Sequence, residues 1–137
     1  MRNIIVMILL SLAVITGCSV GKPAKEPLAL PQVLDAMQAE GLQLQDDAPV
    51  NPDNIFQQGI DGVTPRFYRL ADGIVYIYLF ETNDKRIQGY ERFYDRSIDF
   101  AAHHTYEVNN VFIVYTGGQQ QDDKIDQRIK AAVKRLE

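Results

Sequence analysis

Residues 66–80 read Arg-Phe-Tyr-Arg-Leu-Ala-Asp-Gly-Ile-Val-Tyr-Ile-Tyr-Leu-Phe, and they carry the clearest signal for secondary structure in the chain. Aromatic and β-branched residues fill both of its halves, and such residues favour extended strands. The Asp72-Gly73 pair between the two halves is typical of a tight hairpin turn. We therefore predict an antiparallel hairpin in the middle of the chain.

A second hairpin is predicted where residues 106–108 and 111–115 flank Asn109-Asn110, a pair that tolerates the positive φ angles of a type I′ turn. An amphipathic helix should follow each hairpin, because apolar residues then recur at helical spacing. The last helix is the clearest, with its apolar residues at positions 125, 129, 133 and 136. A shorter helix is predicted earlier, between Pro31 and Gly41, residues suited to begin and to end one.

These elements predict an α+β fold in the order α-ββα-ββα. Their layers give a mainly antiparallel sheet of four or five strands with helices packed on it. Leu42 and Leu44 are candidates for a brief extra strand, and residues 46–62 are predicted to be mostly loop because of their prolines, glycines and Asn/Asp turns. The similar order of the two ββα units leaves open a divergent internal duplication.

Length and charge limit the function classes. The chain has 137 residues, which fits one domain, and 18 acidic against 14 basic residues give a net charge of −4. The basic residues alternate with acidic ones along the predicted helices, which is typical of solvated surfaces. Binding to nucleic acid is therefore not expected.

The first residues differ in composition from the rest of the chain. Met1-Arg2-Asn3 is a short positive start, and residues 4–15 are apolar apart from Ser11. Twelve residues are too few to cross a bilayer, and this pattern is typical of an export signal. The stretch ends in Ile15-Thr16-Gly17-Cys18, which resembles the lipobox of bacterial lipoproteins: a branched apolar residue, two small residues and a cysteine.

This resemblance implies cleavage before Cys18, attachment of a diacylglyceryl group to its thiol and acylation of the new amino terminus, with fatty acyl chains such as palmitate. We accordingly expect a signal peptide over residues 1–17, a flexible tether over 18–29 that carries lipidated Cys18, and one globular domain over 30–137. The expected location is the extracytoplasmic side of the cell membrane or the outer membrane. In a cell with two membranes, Ser19 after the cysteine would by this resemblance favour the outer membrane. The alternative is an uncleaved signal anchor over residues 4–20. Cys18 is the sole cysteine, so the domain folds without a disulfide.

The strand over residues 74–80 has two chemically different faces, because side chains alternate along a strand. The aliphatic face is expected to form the core beneath the two later helices. The other face is aromatic and carries Tyr76, Tyr78 and Phe80. Either the first helix or the 46–62 loop covers these three side chains, or they form an exposed binding face for a sugar, peptide or protein, which Tyr68 and Tyr106 would extend.

Few other residues suggest chemistry. His103 and His104 are adjacent, so in extended chain they point in opposite directions and make a poor metal-binding pair. Four acidic residues of the loop lack the spacing of a calcium-binding loop: Asp46, Asp47, Asp53 and Asp61. No metal or cofactor is expected.

Catalysis has weak support in the sequence. No motif for nucleophilic catalysis occurs in the mature chain, and the nearest candidates for acid–base chemistry are Glu81 and Asp84. We expect a non-enzymatic lipid-anchored binding or accessory domain of the cell envelope, with a protein, peptide or glycan partner. The alternatives are a small envelope hydrolase or transferase that uses carboxylates, and a structural subunit of an envelope complex.

Overall fold

The computed structural model describes residues 24–96, 102–117 and 123–137. The predicted order of elements is confirmed. In chain order they are α1 (Leu30–Ala39), a 3₁₀ turn (Ile55–Gln57), β1 (Arg66–Leu70), β2 (Gly73–Leu79), α2 (Asn83–Tyr94), β3 (His104–Val108), β4 (Val111–Thr116) and α3 (Asp123–Arg135).

The strands form one antiparallel sheet in the order β1-β2-β4-β3, with both predicted hairpins in place. The two inner strands pair in a register that sets Tyr76 opposite Val114 and Ile77 opposite Ile113. The extra strand considered near Leu44 is reduced to a single bridge between Gln45 and Arg69. The described residues therefore contain a four-stranded sheet, and the predicted α+β class is confirmed.

The aliphatic face of the sheet packs against α1 and α3. Val75 and Ile77 are fully buried there, against Val33 and Met37 of α1 and Ile129 of α3. This corrects the expectation that the two later helices lie together on this face. The first and the last helix cover it, and α2 lies on the opposite side of the sheet.

The aromatic face is covered by α2 and by the loop that contains the 3₁₀ turn. Tyr76, Tyr78 and Phe80 are only 1%, 0% and 4% exposed, and they pack with Phe56 and Phe93 in a second core. The prediction that these three side chains form an exposed binding face is therefore wrong. Burying a tyrosine requires a partner for its hydroxyl, and the Tyr78 hydroxyl donates to the Phe56 carbonyl at 2.7 Å. The same burial raises the pKa of Tyr78.

Both hairpin turns depend on a residue in the left-handed region. Ala71 has φ +53° before Gly73 begins β2, and Asn109 has φ +48°. Asn110 keeps negative φ, so the second turn is not the predicted type I′. The Asn110 backbone carbonyl accepts the Phe80 N–H at 2.9 Å, which links this turn to the residue that follows β2.

Candidate functional site

The second hairpin turn binds the chain segment that precedes α1. The Asn110 amide oxygen accepts the Leu28 N–H at 2.6 Å, and its amide nitrogen donates to the Leu28 carbonyl at 3.0 Å. The Asn109 amide nitrogen donates to the Glu26 carbonyl at 2.8 Å. We call these two asparagines, with their bonds to residues 26–28, the Asn clamp. The predicted flexible tether therefore does not extend to residue 29, because its last part is bound to the domain.

Asn110 is the central residue of the Asn clamp. It is 2% exposed and is the buried polar residue in the described part of the chain. Besides its bonds to Leu28, its amide nitrogen donates to the Phe80 carbonyl at 2.8 Å. A buried amide is costly unless it is paired, and here each polar atom of the side chain has a partner. The clamp thus joins three parts of the chain at one end of the sheet.

Arg86 of α2 also contacts the β3–β4 turn. Its Nε donates to the Asn109 carbonyl at 3.1 Å, and one terminal nitrogen donates to the Asn83 side chain at 2.9 Å. It also forms an ion pair with Glu107. Burial lowers the pKa of the Arg86 guanidinium, but arginine stays charged at accessible pH. These contacts link the start of α2 to the Asn clamp.

A groove of about 760 Å³ lies at this end of the sheet. One wall is the bound segment, residues 24–27, and the other is the β2–α2 junction, residues 81–84, with Asn109. The Thr82 hydroxyl caps α2 by accepting the Lys85 N–H at 3.2 Å. Both carboxylates that the sequence singles out, Glu81 and Asp84, line the groove. Its lining residues are exposed except for the partly buried Asn109, so the groove is open to solvent.

The two histidines lie among different neighbours, as their adjacent positions predict. His103 lies 3.1 Å from the Tyr94 hydroxyl, and its ring centroid is 5.5 Å from that of Phe56. His104 faces α3 instead, where its Nδ1 is 3.5 Å from an Asp126 carboxylate oxygen. The described residues contain no group of three or more histidine, cysteine or carboxylate side chains placed to hold a metal ion.

The Asp126 carboxylate of α3 has hydrogen-bond partners on β3 and on its own helix. It accepts from the Tyr106 hydroxyl at 2.7 Å and from Lys130 at 2.7 Å, the second being the predicted helical pair. Partial burial raises the Asp126 pKa, but the hydrogen bonds from Lys130 and Tyr106 outweigh it, and the net pKa is lowered. Tyr106 and His104 were not predicted to join this group. Their spacing of two along β3, which puts them on one face, could have indicated it.

The acidic loop does not bring its carboxylates together. Asp47 forms an ion pair with Arg69 of β1, and Asp61 forms another with Arg92 of α2 at 2.9 Å. These pairs fasten the loop to two different elements. They are exposed contacts, and each is expected to contribute little stability.

Comparisons with known proteins give no relative for this chain: no family model, no curated protein and no solved structure matches it. Of the helices in the described ranges, none is both long and apolar enough to cross a membrane. Cys18 and the rest of the lipobox-like sequence lie outside the described residues. The candidate functional features of the chain are therefore the Asn clamp, the groove beside it and the lipobox-like sequence that precedes them.

Proposed function

We propose that this protein is a lipid-anchored domain on the extracytoplasmic side of a bacterial membrane, where it acts by contact with another envelope component. The observation that carries the proposal is the sequence Ile15-Thr16-Gly17-Cys18 directly after a twelve-residue apolar stretch. A thiol is the side chain in this segment that can take an alkyl group under mild conditions. Two or three acyl chains form a durable anchor, whereas one holds only reversibly.

The domain itself supports a contact role more than a catalytic one. The aromatic side chains of β2 that the sequence offered as a binding face are buried in the second core, and the groove beside the Asn clamp is lined by exposed residues apart from Asn109. General acid catalysis by a carboxyl group at neutral pH needs surroundings that withhold water from it. The groove offers Glu81 and Asp84 no such enclosure. A protein, peptide or glycan that lies along the groove is the partner class proposed here.

The anchor is tested by the amino terminus of the mature protein. We expect mass spectrometry of membrane-extracted protein to find a chain that begins at Cys18 and carries fatty acyl mass. Cys18→Ser should abolish that mass and leave either an unprocessed precursor or protein released from the membrane. Ser19→Ala is the matched control and should be lipidated normally. Mature protein that retains residues 1–17, or that has a bare Cys18 thiol, would refute the proposal.

A carboxylate-based hydrolase or transferase is the second candidate, because Glu81 and Asp84 line the same groove. The test compares the intact protein with the double variant Glu81→Gln/Asp84→Asn on chromogenic glycosides and esters. Turnover that the double variant loses, while it keeps its fold by circular dichroism, would favour the enzyme. Equal, background turnover in both proteins would favour the contact role.

A further inference from the structure

We infer that the Asn clamp sets the orientation of the domain on the membrane, so that the end of the sheet that carries the groove faces the lipid surface. This inference rests on the proposed lipidation of Cys18. The surface that would face the bilayer is the end of the sheet with the Asn clamp and the groove, called the clamp end below.

The first step is the length of chain that remains outside the domain. Asn109 holds the Glu26 carbonyl, and the Lys25 ammonium contacts the Glu137 carbonyl at the end of the chain. Seven residue steps separate Cys18 from Lys25. Fully extended, they reach at most about 25 Å. A tether free up to residue 29 would reach about 40 Å and would keep the domain less close to the membrane, so its orientation would be less biased.

The second step is where the bound segment leaves the domain. It leaves beside the β2–α2 junction, residues 81–84, and the β3–β4 turn. The β1–β2 turn, at Asp72, lies at the other end of the seven-residue strand β2, about 20 Å away. A tether of at most about 25 Å keeps the attached end within that distance of the lipid surface, whereas the Asp72 end can lie about 20 Å farther away, so the attached end is on average the nearer of the two.

The charge of the clamp end shows that electrostatic attraction to lipid is not what would orient the domain. The clamp end carries the acidic residues Glu26, Glu81 and Asp84 beside the groove, with Lys25 as the basic residue of its lining. Anionic lipids attract clusters of basic residues, and this surface is not one. The orientation should therefore come from the tether and the Asn clamp, and it should be present on uncharged phosphatidylcholine vesicles, where no electrostatic attraction acts.

The experiment uses the chain from Cys18 to Glu137, which contains every element of the described fold. Its sole thiol is coupled to a maleimide lipid in phosphatidylcholine vesicles that contain a dansyl-labelled lipid. The chain has no tryptophan, so one can be introduced as the energy donor, by Glu81→Trp at the clamp end or by Asp72→Trp at the other end. We expect transfer to the dansyl lipid to be at least about twofold stronger from position 81, because about 20 Å of strand separates the two positions.

Two changes should reduce the difference in energy transfer between positions 81 and 72. Asn109→Gly/Asn110→Ala releases the segment while glycine keeps the positive φ at position 109. Insertion of twelve Gly/Ser residues after Val20 leaves the clamp and the fold untouched and only lengthens the tether, so it serves if the asparagine variant does not fold. Equal transfer from positions 81 and 72 in the parent chain, or a difference as large after the insertion as before it, would overturn the inference.

Varying the salt concentration and the lipid charge distinguishes orientation by the tether from orientation by electrostatic adhesion. If the difference appears only with anionic vesicles at low salt, adhesion sets the orientation and the clamp does not. Because the lipid is attached chemically, the result does not depend on whether cells lipidate Cys18. The vesicle experiment therefore tests only the orientation by the Asn clamp. Mass spectrometry of the cellular protein tests separately whether Cys18 is lipidated.

Discussion

Gly89 lies in the middle of α2, where helix propensity and packing make opposite demands. In an exposed helix, replacing glycine by alanine gains about 1 kcal/mol. Here a Cβ at position 89 would lie 2.3 and 2.4 Å from two carbons of the Phe80 ring, which is buried in the second core. We expect Gly89→Ala to lower the free energy of unfolding by about 1–3 kcal/mol, because the ring has to move within a packed cluster. Urea denaturation measures this change.

The neighbouring residue provides the control for that prediction. Gln88 is exposed on the same helix, and Gln88→Ala should change the free energy of unfolding by no more than about 0.5 kcal/mol. A Gly89→Ala protein as stable as the parent, or more stable, would mean that α2 does not pack as closely on Phe80 as the structure has it.

Asp126 should make stability depend on pH. Its carboxyl has a lowered pKa in the folded state, because the hydrogen bonds from Lys130 and Tyr106 outweigh partial burial, and His104 adds to the effect when protonated. When the pKa of a carboxyl group is lower in the folded state than in the unfolded state, its charged form stabilises the fold. This stabilisation is fully present at pH values above the unfolded-state pKa, and it is lost as the pH falls through the folded-state pKa. We expect Asp126→Asn to lower the free energy of unfolding by about 1.5 kcal/mol near neutral pH.

The difference between the parent and Asp126→Asn should then shrink as the pH falls below the ordinary value of 3.8. Denaturation curves at a series of pH values give this difference directly, with other carboxylates cancelling. Asp123→Asn, an exposed change on the same helix, should show a small difference at every pH. A difference for Asp126→Asn that stays constant into acid would exclude the carboxylate charge as its source.

At the scale of elements, the helices begin with unequal caps. Thr82 caps α2 through its hydroxyl, whereas α1 begins after Ala29, which has no side-chain acceptor. Ala29 already has extended backbone angles, and its N–H donates to the Gln32 side chain at 2.8 Å, which is half of a capping box. We expect Ala29→Ser to complete the box and raise the free energy of unfolding by about 0.5–1 kcal/mol.

Thr82→Ala is the matched variant of opposite sign. It removes an existing cap and should cost about 1 kcal/mol. Chemical denaturation followed by circular dichroism compares the two. If Thr82→Ala is costly while Ala29→Ser brings no gain, the start of α1 is held by its contacts with the domain and not by capping.

The sequence predicts the elements well because the signals for them are local. Aromatic and β-branched runs around Asp72-Gly73 and Asn109-Asn110 indicate both hairpins, and apolar spacing indicates the three helices. Which face each helix covers is not a local property. A hairpin followed by a helix can place it on either side of the sheet, and here α2 and α3 lie on opposite faces. A rotation cannot relate two such units, which argues against the internal duplication.

The candidate site was less predictable than the fold. Asn109-Asn110 could be recognised as a turn, but its binding to Leu28 joins residues 82 positions apart. No spacing rule connects an amide side chain with so distant a backbone. The groove is similar, since Glu81 and Asp84 could be singled out at their junction while residues 24–27 were expected to be free chain. Long-range contacts of polar groups leave no periodic trace in the sequence.

At the scale of the whole molecule, one sheet separates two cores. The inner strands β2 and β4 contribute to both, because neighbouring residues on each strand point into different layers. Ile113 is buried on the α1 and α3 side, and Val114, the next residue, is buried on the α2 side. Loss of either core would expose one face of the strands on which the other core rests. We therefore expect the two layers to unfold together.

Hydrogen exchange at individual amides tests this expectation with two neighbouring variants. Ile113→Val should cost about 1 kcal/mol on one face, and Val114→Ala about 2 kcal/mol on the other. If unfolding is one transition, each variant accelerates the slowest amides of α1, α2 and α3 by a single common factor, roughly fivefold for the first and roughly thirtyfold for the second. Asp35→Asn, on the exposed side of α1, should leave the rates nearly unchanged. Acceleration by Ile113→Val in α1 and α3 alone, with α2 at its parent rate, would show that the two layers open independently.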